Sequence, residues 1–186
     1  AWLTRVPVRI HTFTGLVWPT ATGLKRRVLM MTDRITCACA THVIPEGRGV
    51  MDDLRRGGIT RKPMRVLGYG NVMGVDMARF SPERFAQCEH SDVFTFLFVG
   101  RIVRDKGINE LVEAFVRLHA DHPTTRLALV GNYERRLDPV SDDTQRLIDT
   151  SEAIEAVGHK EGDELVRAYA AADCFVMPSY REGFPN

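Results

Sequence analysis

Arg101 and Lys106 stand five positions apart in Gly100-Arg101-Ile102-Val103-Arg104-Asp105-Lys106-Gly107, between an apolar run and a helical pattern. Two fixed cations beside a helix N-terminus, where free backbone N–H groups and the helix dipole already favour an anion, make a diphosphate site. The competing reading of such a loop is a solvated turn. Glu182 lies further on, in the glycine-containing stretch Pro178-Ser179-Tyr180-Arg181-Glu182-Gly183. A carboxylate there can accept hydrogen bonds from ligand hydroxyls, as recognition of a sugar or ribose requires. No second carboxylate is placed convincingly to form the acid and nucleophile pair of a retaining glycosidase.

The elements that position these residues are legible in the alternation of hydrophobic periods. Phe94 to Val99 is an apolar run ending at Gly100, as in a strand buried on both faces. Ile108, Leu111, Val112, Phe115 and Leu118 then recur at helical spacing up to Pro123. Arg126 to Val130, Ile154 to Val157 and Cys174 to Met177 read as further strands, with helices over Thr144 to Thr150 and Asp163 to Ala171 between them. Strand and helix alternating at this spacing predict βαβ units on a parallel sheet. In such a sheet ligands bind beyond the carboxyl ends of the strands, which gathers Gly100-Arg101, Gly131-Asn132, Gly158-His159 and the stretch from Pro178 to Glu182.

The first half repeats the rhythm more weakly. Val8 to Phe13, Cys37 to Ile44 and Met64 to Leu67 read as strands, Leu24 to Ile35 and Glu46 to Arg56 as helices. Ser81-Pro82 and the polar residues after it interrupt the pattern, so the reading is one domain over 1–80, a linker over 81–92 and a second domain over 93–186. With 186 residues, 44% hydrophobic and 26% charged side chains, the chain is an ordinary globular protein, neither disordered nor collagenous nor a membrane-spanning bundle. Four cysteines without a CxxC pair point to a reducing compartment. The net charge of +1 hides an asymmetry: residues 1–92 carry 14 Lys and Arg against 8 Asp and Glu, residues 93–186 carry 11 against 16. The basic half fits an anionic surface such as phospholipid or a phosphorylated acceptor, or it is simply solvated charge. The helix predicted over Leu24 to Ile35, with Lys25-Arg26-Arg27 followed by Val28-Leu29-Met30-Met31, is the candidate for touching a membrane, unless its apolar face only packs on its own core.

Several rival motifs are weaker. Gly68-Tyr69-Gly70-Asn71-Val72-Met73-Gly74 follows a predicted strand and resembles a dinucleotide fingerprint, which keeps an NAD(P)-dependent oxidoreductase as an alternative. A fingerprint should open a long helix, however, and this one runs into Ser81-Pro82. Cys37, Cys39 and His42 lack the turn geometry of a metal site, and period-2 spacing puts both cysteines on one strand face, where packing is their role. Ser179 lacks the GxSxG elbow of a nucleophile.

Taken in order, Phe98-Val99-Gly100-Arg101 with Asp105-Lys106-Gly107, Leu129-Val130-Gly131, Val157-Gly158, Tyr169, Ala172-Asp173 and Pro178-Ser179-Tyr180-Arg181-Glu182-Gly183-Phe184-Pro185 resemble the retaining glycosyltransferases of family 4. The likeness extends into the first half through Val6-Pro7, His11-Thr12-Phe13-Thr14-Gly15, Gly74-Val75-Asp76 and Phe80-Ser81-Pro82. It is nearest to bacterial transferases that build capsular or O-antigen polysaccharides on a lipid carrier.

The resemblance implies an α/β protein of the GT-B fold, two Rossmann-like domains with parallel sheets, the first contributing the acceptor side and the second binding the nucleotide-sugar donor. Arg101 and Lys106 would hold the donor diphosphate and stabilise its departing charge. Glu182 matches the first glutamate of the family's Glu-x7-Glu motif, which contacts the donor sugar. The second glutamate would fall beyond Asn186. Gly100, Gly131, Asn132, Gly158, His159, Ser179, Gly183 and Phe184 would line the donor, with His159 toward the base. His11, Thr14, Gly15 and Gly74 would lie on the acceptor side. Many relatives place a histidine directly before the glycine of that loop; here the position is Thr14, so His11 is either a site residue or a strand residue. Trp18 either lines the acceptor cleft or packs.

The expected donor is a UDP or GDP sugar, the acceptor a lipid-linked saccharide, with no metal, no cofactor and no nucleic-acid partner. The expected location is the cytoplasm, peripheral to the inner face of the membrane. A non-catalytic nucleotide-sugar binding module is the other alternative. Starting at Ala1 and stopping directly after a predicted strand, the chain reads as an internal piece of a longer protein, both domains incomplete.

Overall fold

The computed structural model describes residues 1–70, 74–81, 83, 92–136, 138–180 and 182. The chain divides into two compact units, Ala1–Val75 with Glu182–Asn186, and Asp76–Arg181.

The first unit is a βαβ crossover followed by a helix: β1 (Ile10–Phe13), α1 (Gly23–Cys39), β2 (His42–Pro45) and α2 (Arg48–Arg56). β1 and β2 pair in parallel, from Ile10 opposite His42 to Phe13 opposite Pro45. Phe13, Trp18, Cys37, Val43, Val50 and Leu54 meet in one buried cluster. α1 runs four residues past the expected end at Ile35, so Cys37 and Cys39 are helical rather than on a strand face. The extra turn has a physical cause. The Lys62 ammonium donates to the carbonyls of Cys37 (2.6 Å), Ala38 (3.1 Å) and Ala40, groups that a helix end leaves without intrahelical partners. Cys37 is buried and Cys39 half-buried, and among the described residues no three His, Cys, Asp or Glu side chains converge as metal ligands would. The strand expected over Met64 to Leu67 contracts to a single parallel bridge between Met64 and Val43, because Pro63 before it lacks an N–H and Gly68 turns the chain at φ +55°.

The second unit follows the expected order: β3 (Phe94–Val99), a 3-10 turn (Arg104–Lys106), α3 (Ile108–Asp121), β4 (Thr125–Val130), α4 (Asp142–Thr150), β5 (Ile154–Gly158), α5 (Gly162–Ala170) and β6 (Cys174–Phe175). α3 buries Ile108, Leu111, Val112 and Phe115 on one face, against Phe98, Leu127 and Leu129 of the sheet. Each such side chain contributes about 1.5–3 kcal/mol. Ser141 caps α4 by accepting the Thr144 N–H, and Asp142 and Asp143 in the first turn complement the dipole. β6 is two residues shorter than expected; Pro178, two positions past Val176, has no N–H to continue the ladder. Asp76–Phe80, assigned to the first domain on sequence, packs within the second unit: Phe80 lies edge-on to Tyr169, and Arg79 faces Asp163 at 4.0 Å.

All four strands are parallel, in the order β5-β4-β3-β6. From β3 the chain first moves outward through β4 to β5, then returns to place β6 on the other side of β3. The crevice between β3 and β6 is therefore the topological switch point, where open α/β sheets bind ligands.

Candidate functional site

Two loops leave the carboxyl ends of the switch-point strands, Gly100 to Gly107 after β3 and Val176 to Tyr180 after β6. They are tied together closely. Gly107 precedes α3 at φ +71°, and a Cβ built there would lie 2.3 Å from the Pro178 carbonyl oxygen. Only glycine combines that left-handed backbone with so close an approach. The Tyr180 N–H donates to the Asp105 carbonyl at 3.1 Å, and its phenol donates to Glu110 at 2.5 Å. That hydrogen bond holds the Tyr180 phenol above its ordinary pKa. Within the same turn, the Ser179 Oγ is buried and makes no hydrogen bond to the described residues. A buried hydroxyl without a partner costs about 1–3 kcal/mol.

The neighbouring strand ends align with this crevice. The Gly100 N–H donates to Val130 and the Gly131 N–H to Gly158, both at 2.9 Å, so the three glycines lie side by side across β3, β4 and β5. A Cβ on Gly131 would fall 1.8 Å from the Gly100 carbonyl oxygen, which reserves this position for glycine. The Asn132 carbonyl accepts from the Ile102 N–H at 2.9 Å. His159, exposed after β5, pairs with Glu161 at 2.8 Å.

The cations carry carboxylate partners that the sequence did not single out. Arg101 donates to Glu134 at 2.8 Å across 33 positions. Arg104 pairs with Asp138 at 3.3 Å, and Asp138 also accepts the Asp105 N–H at 2.7 Å. Both acids sit on the loop after β4, where Glu134-Arg135-Arg136 reads as an unremarkable charged turn. Lys106 is half-buried within the 3-10 turn, with Gly107 following it into α3.

The structure thus brings Gly100, Arg101, Lys106 and Ser179 to the switch point, with Gly131, Asn132, Gly158 and His159 at the adjoining strand ends. Gly183 and Phe184 lie outside the described residues. Glu182 is half-buried and groups with the first unit.

His11, Thr14 and Gly15 line a separate cavity of about 260 Å³ within the first unit, at the carboxyl end of β1. Gly74 is not part of it and closes the first unit at φ +73°. Trp18 and Asp33 also line the cavity. Trp18 packs, at 4% exposure, and one edge of it lines the cleft as well. Asp33 was not anticipated, although it is the one acid in α1. Burial pushes its carboxyl above the ordinary range, while the Trp18 indole, directed at it without closing a good hydrogen bond, and the His11 imidazole pull it back down.

Gly68 and Gly70 lie in a turn, in which the Gly70 N–H donates to the Leu67 carbonyl, and residues 74–80 contain no helix of the kind that a dinucleotide fingerprint opens.

Comparison with known proteins agrees with this architecture. Residues 80–186 match the family described as Glycosyl transferases group 1. The whole chain is 29% identical to the capsular polysaccharide biosynthesis glycosyltransferase CapM of Staphylococcus aureus, covering 50% of that protein. Among solved structures, sucrose-phosphate synthase from Thermosynechococcus elongatus superposes with a TM-score of 0.72 at 24% identity, over 95% of this chain and 45% of that one. HepE of Anabaena, solved with UDP, gives 0.69 at 18% identity, over 95% and 48%. These likenesses show the GT-B fold. The chain spans about half the length of the curated relative that it matches throughout.

Proposed function

The chain belongs to the group 1 glycosyl transferases, and from that premise we propose that the protein moves a sugar from a nucleoside-diphosphate donor to a hydroxyl acceptor with retention of configuration. The observation that carries this reading is the switch-point crevice, where Arg101 and the N-terminus of the 14-residue α3 are held by loops locked through Gly107, beside a buried Ser179 hydroxyl that has no hydrogen-bond partner among the described residues.

In this mechanism the donor diphosphate lies over the start of α3. Arg101 and Lys106 neutralise it, exchanging part of the Arg101–Glu134 pair for phosphate oxygens, and Ser179 donates to one of those oxygens. The bond from the anomeric carbon to phosphate stretches first, leaving an oxocarbenium-like sugar. The preset cations stabilise the charge that grows on the leaving diphosphate. The acceptor hydroxyl forms its new bond on the face the diphosphate leaves, and its proton passes to the departing phosphate oxygen. Glu182 binds donor hydroxyls, His159 faces the base, and the glycine ends of β3, β4 and β5 let the nucleotide approach the backbone. The donor carries UDP or GDP, and neither metal nor cofactor takes part.

The acceptor is a lipid-linked glycan of surface polysaccharide assembly, a reading supported by the likeness to CapM and by α1. That helix exposes Leu24, Val28, Met31 and Ile35 beside Lys25 and Arg27, as a helix lying on an anionic membrane does. Among the described residues no helix is long and apolar enough to cross a membrane. Peripheral attachment at the inner membrane face follows from the same reading.

Calorimetric titration with UDP, GDP, ADP and NADP tests the proposal. Tight binding of one nucleoside diphosphate, weakened about 10- to 100-fold by Arg101→Ala or Lys106→Ala, is expected for loss of a charge-assisted contact. Binding of NADP alone, indifferent to both substitutions, would overturn it. Nucleotide-sugar binding with neither transfer nor hydrolysis would instead mark a module without turnover.

A further inference from the structure

The 3-10 turn that carries Lys106 cannot hold itself. Three residues make a marginal helix, and Val103, which precedes Arg104, offers no side-chain acceptor to the turn's leading N–H groups. Asp138, 33 positions after Asp105, supplies the cap. Its backbone carbonyl accepts the Arg104 N–H at 3.2 Å, and its Oδ2 accepts the Asp105 N–H at 2.7 Å. Within the turn the Lys106 N–H donates to the Val103 carbonyl at 3.2 Å and the Gly107 N–H to the Arg104 carbonyl at 2.9 Å, while the Asp105 carbonyl accepts the Tyr180 N–H at 3.1 Å. Each of the three peptide planes from Val103 to Lys106 is thereby hydrogen-bonded at both ends, and Asp138 holds one end of two of them. The loop that carries Asp138 is itself fixed on either side, by the Ile102 N–H on the Asn132 carbonyl at 2.9 Å and by the Ser141 N–H on Asn109 Oδ1 at 3.0 Å.

We propose that Asp138 is a positioning residue of the donor site: by capping the 3-10 turn it sets where the Lys106 ammonium meets the second phosphate of the nucleoside diphosphate. The assignment rests on the transferase reading of the crevice. Its main contact is Oδ2 on the Asp105 N–H, because Oδ1 faces Arg104 at 3.3 Å, a side chain that is 69% exposed, and an ion pair with so exposed a guanidinium contributes little. The charge itself is a handicap. A carboxylate near a diphosphate repels it, so Coulomb's law alone predicts that removing Asp138 tightens binding. Positioning predicts the opposite sign, since a cation that must be ordered at the moment of binding is worth less than one already in place.

The test compares UDP with UMP, and GDP with GMP, by calorimetric titration, so that the preference for the diphosphate isolates the second phosphate. Asp138→Ala is expected to reduce that preference about 3- to 10-fold, part of the roughly 10- to 100-fold that a charge-assisted contact supplies. Monophosphate affinity should stay within about 2-fold of the parent, whereas a general loss of structure would weaken both ligands. Asp138→Asn, which keeps an oxygen for the Asp105 N–H and drops the charge, should prefer the diphosphate as strongly as the parent does, or more strongly. Glu113→Ala removes an exposed acid from α3, controls for net charge and should change neither affinity. In a Lys106→Ala background the effect of Asp138→Ala should vanish, because the two residues act as one unit. An undiminished preference in Asp138→Ala, a lost preference in Asp138→Asn, or the same loss with and without Lys106 would each overturn the assignment, while diphosphate binding by the parent leaves the transferase reading intact. The asparagine variant decides by itself if the alanine variant does not fold. A parent that binds neither UDP nor GDP would bring down both the assignment and the transferase reading.

Discussion

Replacing Gly107 with alanine probes the contact that locks the two switch-point loops. The new Cβ would face two penalties. The left-handed backbone, φ +71°, disfavours any L side chain by about 1–2 kcal/mol. The methyl would also start 2.3 Å from the Pro178 carbonyl oxygen and 2.9 Å from its carbon, backbone atoms that cannot swing aside. Relieving such an overlap typically costs about 1–3 kcal/mol more. The sum is about 2–5 kcal/mol of unfolding free energy. Gly158 supplies the control, because it has a similar φ of +76° with nothing within 4 Å of its added Cβ. Gly158→Ala should therefore cost only the backbone share, about 1–2 kcal/mol. Urea unfolding followed by circular dichroism measures both. Gly107→Ala should also lose UDP affinity, since opening the overlap pulls Tyr180 from Asp105 and displaces Ser179. Equal destabilisation by the two substitutions, or Gly107→Ala with undiminished nucleotide binding, would refute the argument that this close approach builds the site.

Three further outcomes follow from named contacts. Lys62→Met removes the ammonium that holds the three carbonyls ending α1, and should destabilise the first unit by about 2–4 kcal/mol in thermal or urea unfolding. Glu134→Gln frees Arg101 from its counter-ion; because the pair is largely exposed and worth at most about 1 kcal/mol, UDP should bind up to about 5-fold more tightly, and weaker binding would show that Glu134 positions the guanidinium instead. The raised carboxyl pKa of Asp33 means that the fold favours its protonated form. Its stabilising contribution is therefore present below the unfolded value near 3.8 and lost as pH rises through the folded value, so stability of the parent relative to Asp33→Asn should fall between acid and neutral pH. A pH-independent difference would contradict the burial assigned to it.

Much of the second unit was legible because helix and strand periods are local properties. The apolar run at Phe94–Val99 and the 3.6-residue stripe from Ile108 to Phe115 need no knowledge of their neighbours to be recognised. The end of α1 was misread for the converse reason. Cys37-Ala38-Cys39 has no strong period, and the side chain that extends the helix, Lys62, lies 22 or more positions away.

From the sequence alone came the alternation of elements, the family resemblance, and the placing of Arg101, Lys106 and the strand-end glycines on one edge of a parallel sheet. Tertiary structure decided which strands are neighbours, and with that where the crevice opens. Strand order depends on packing between segments tens of residues apart, so the order β5-β4-β3-β6, the approach of Gly107 to Pro178 and the pairing of Arg101 with Glu134 have no local signature. The same holds for Asp33: a lone acid on a helix looks solvated until His11 of β1 and Trp18 of the loop after it fold over it and make it the wall of a cavity.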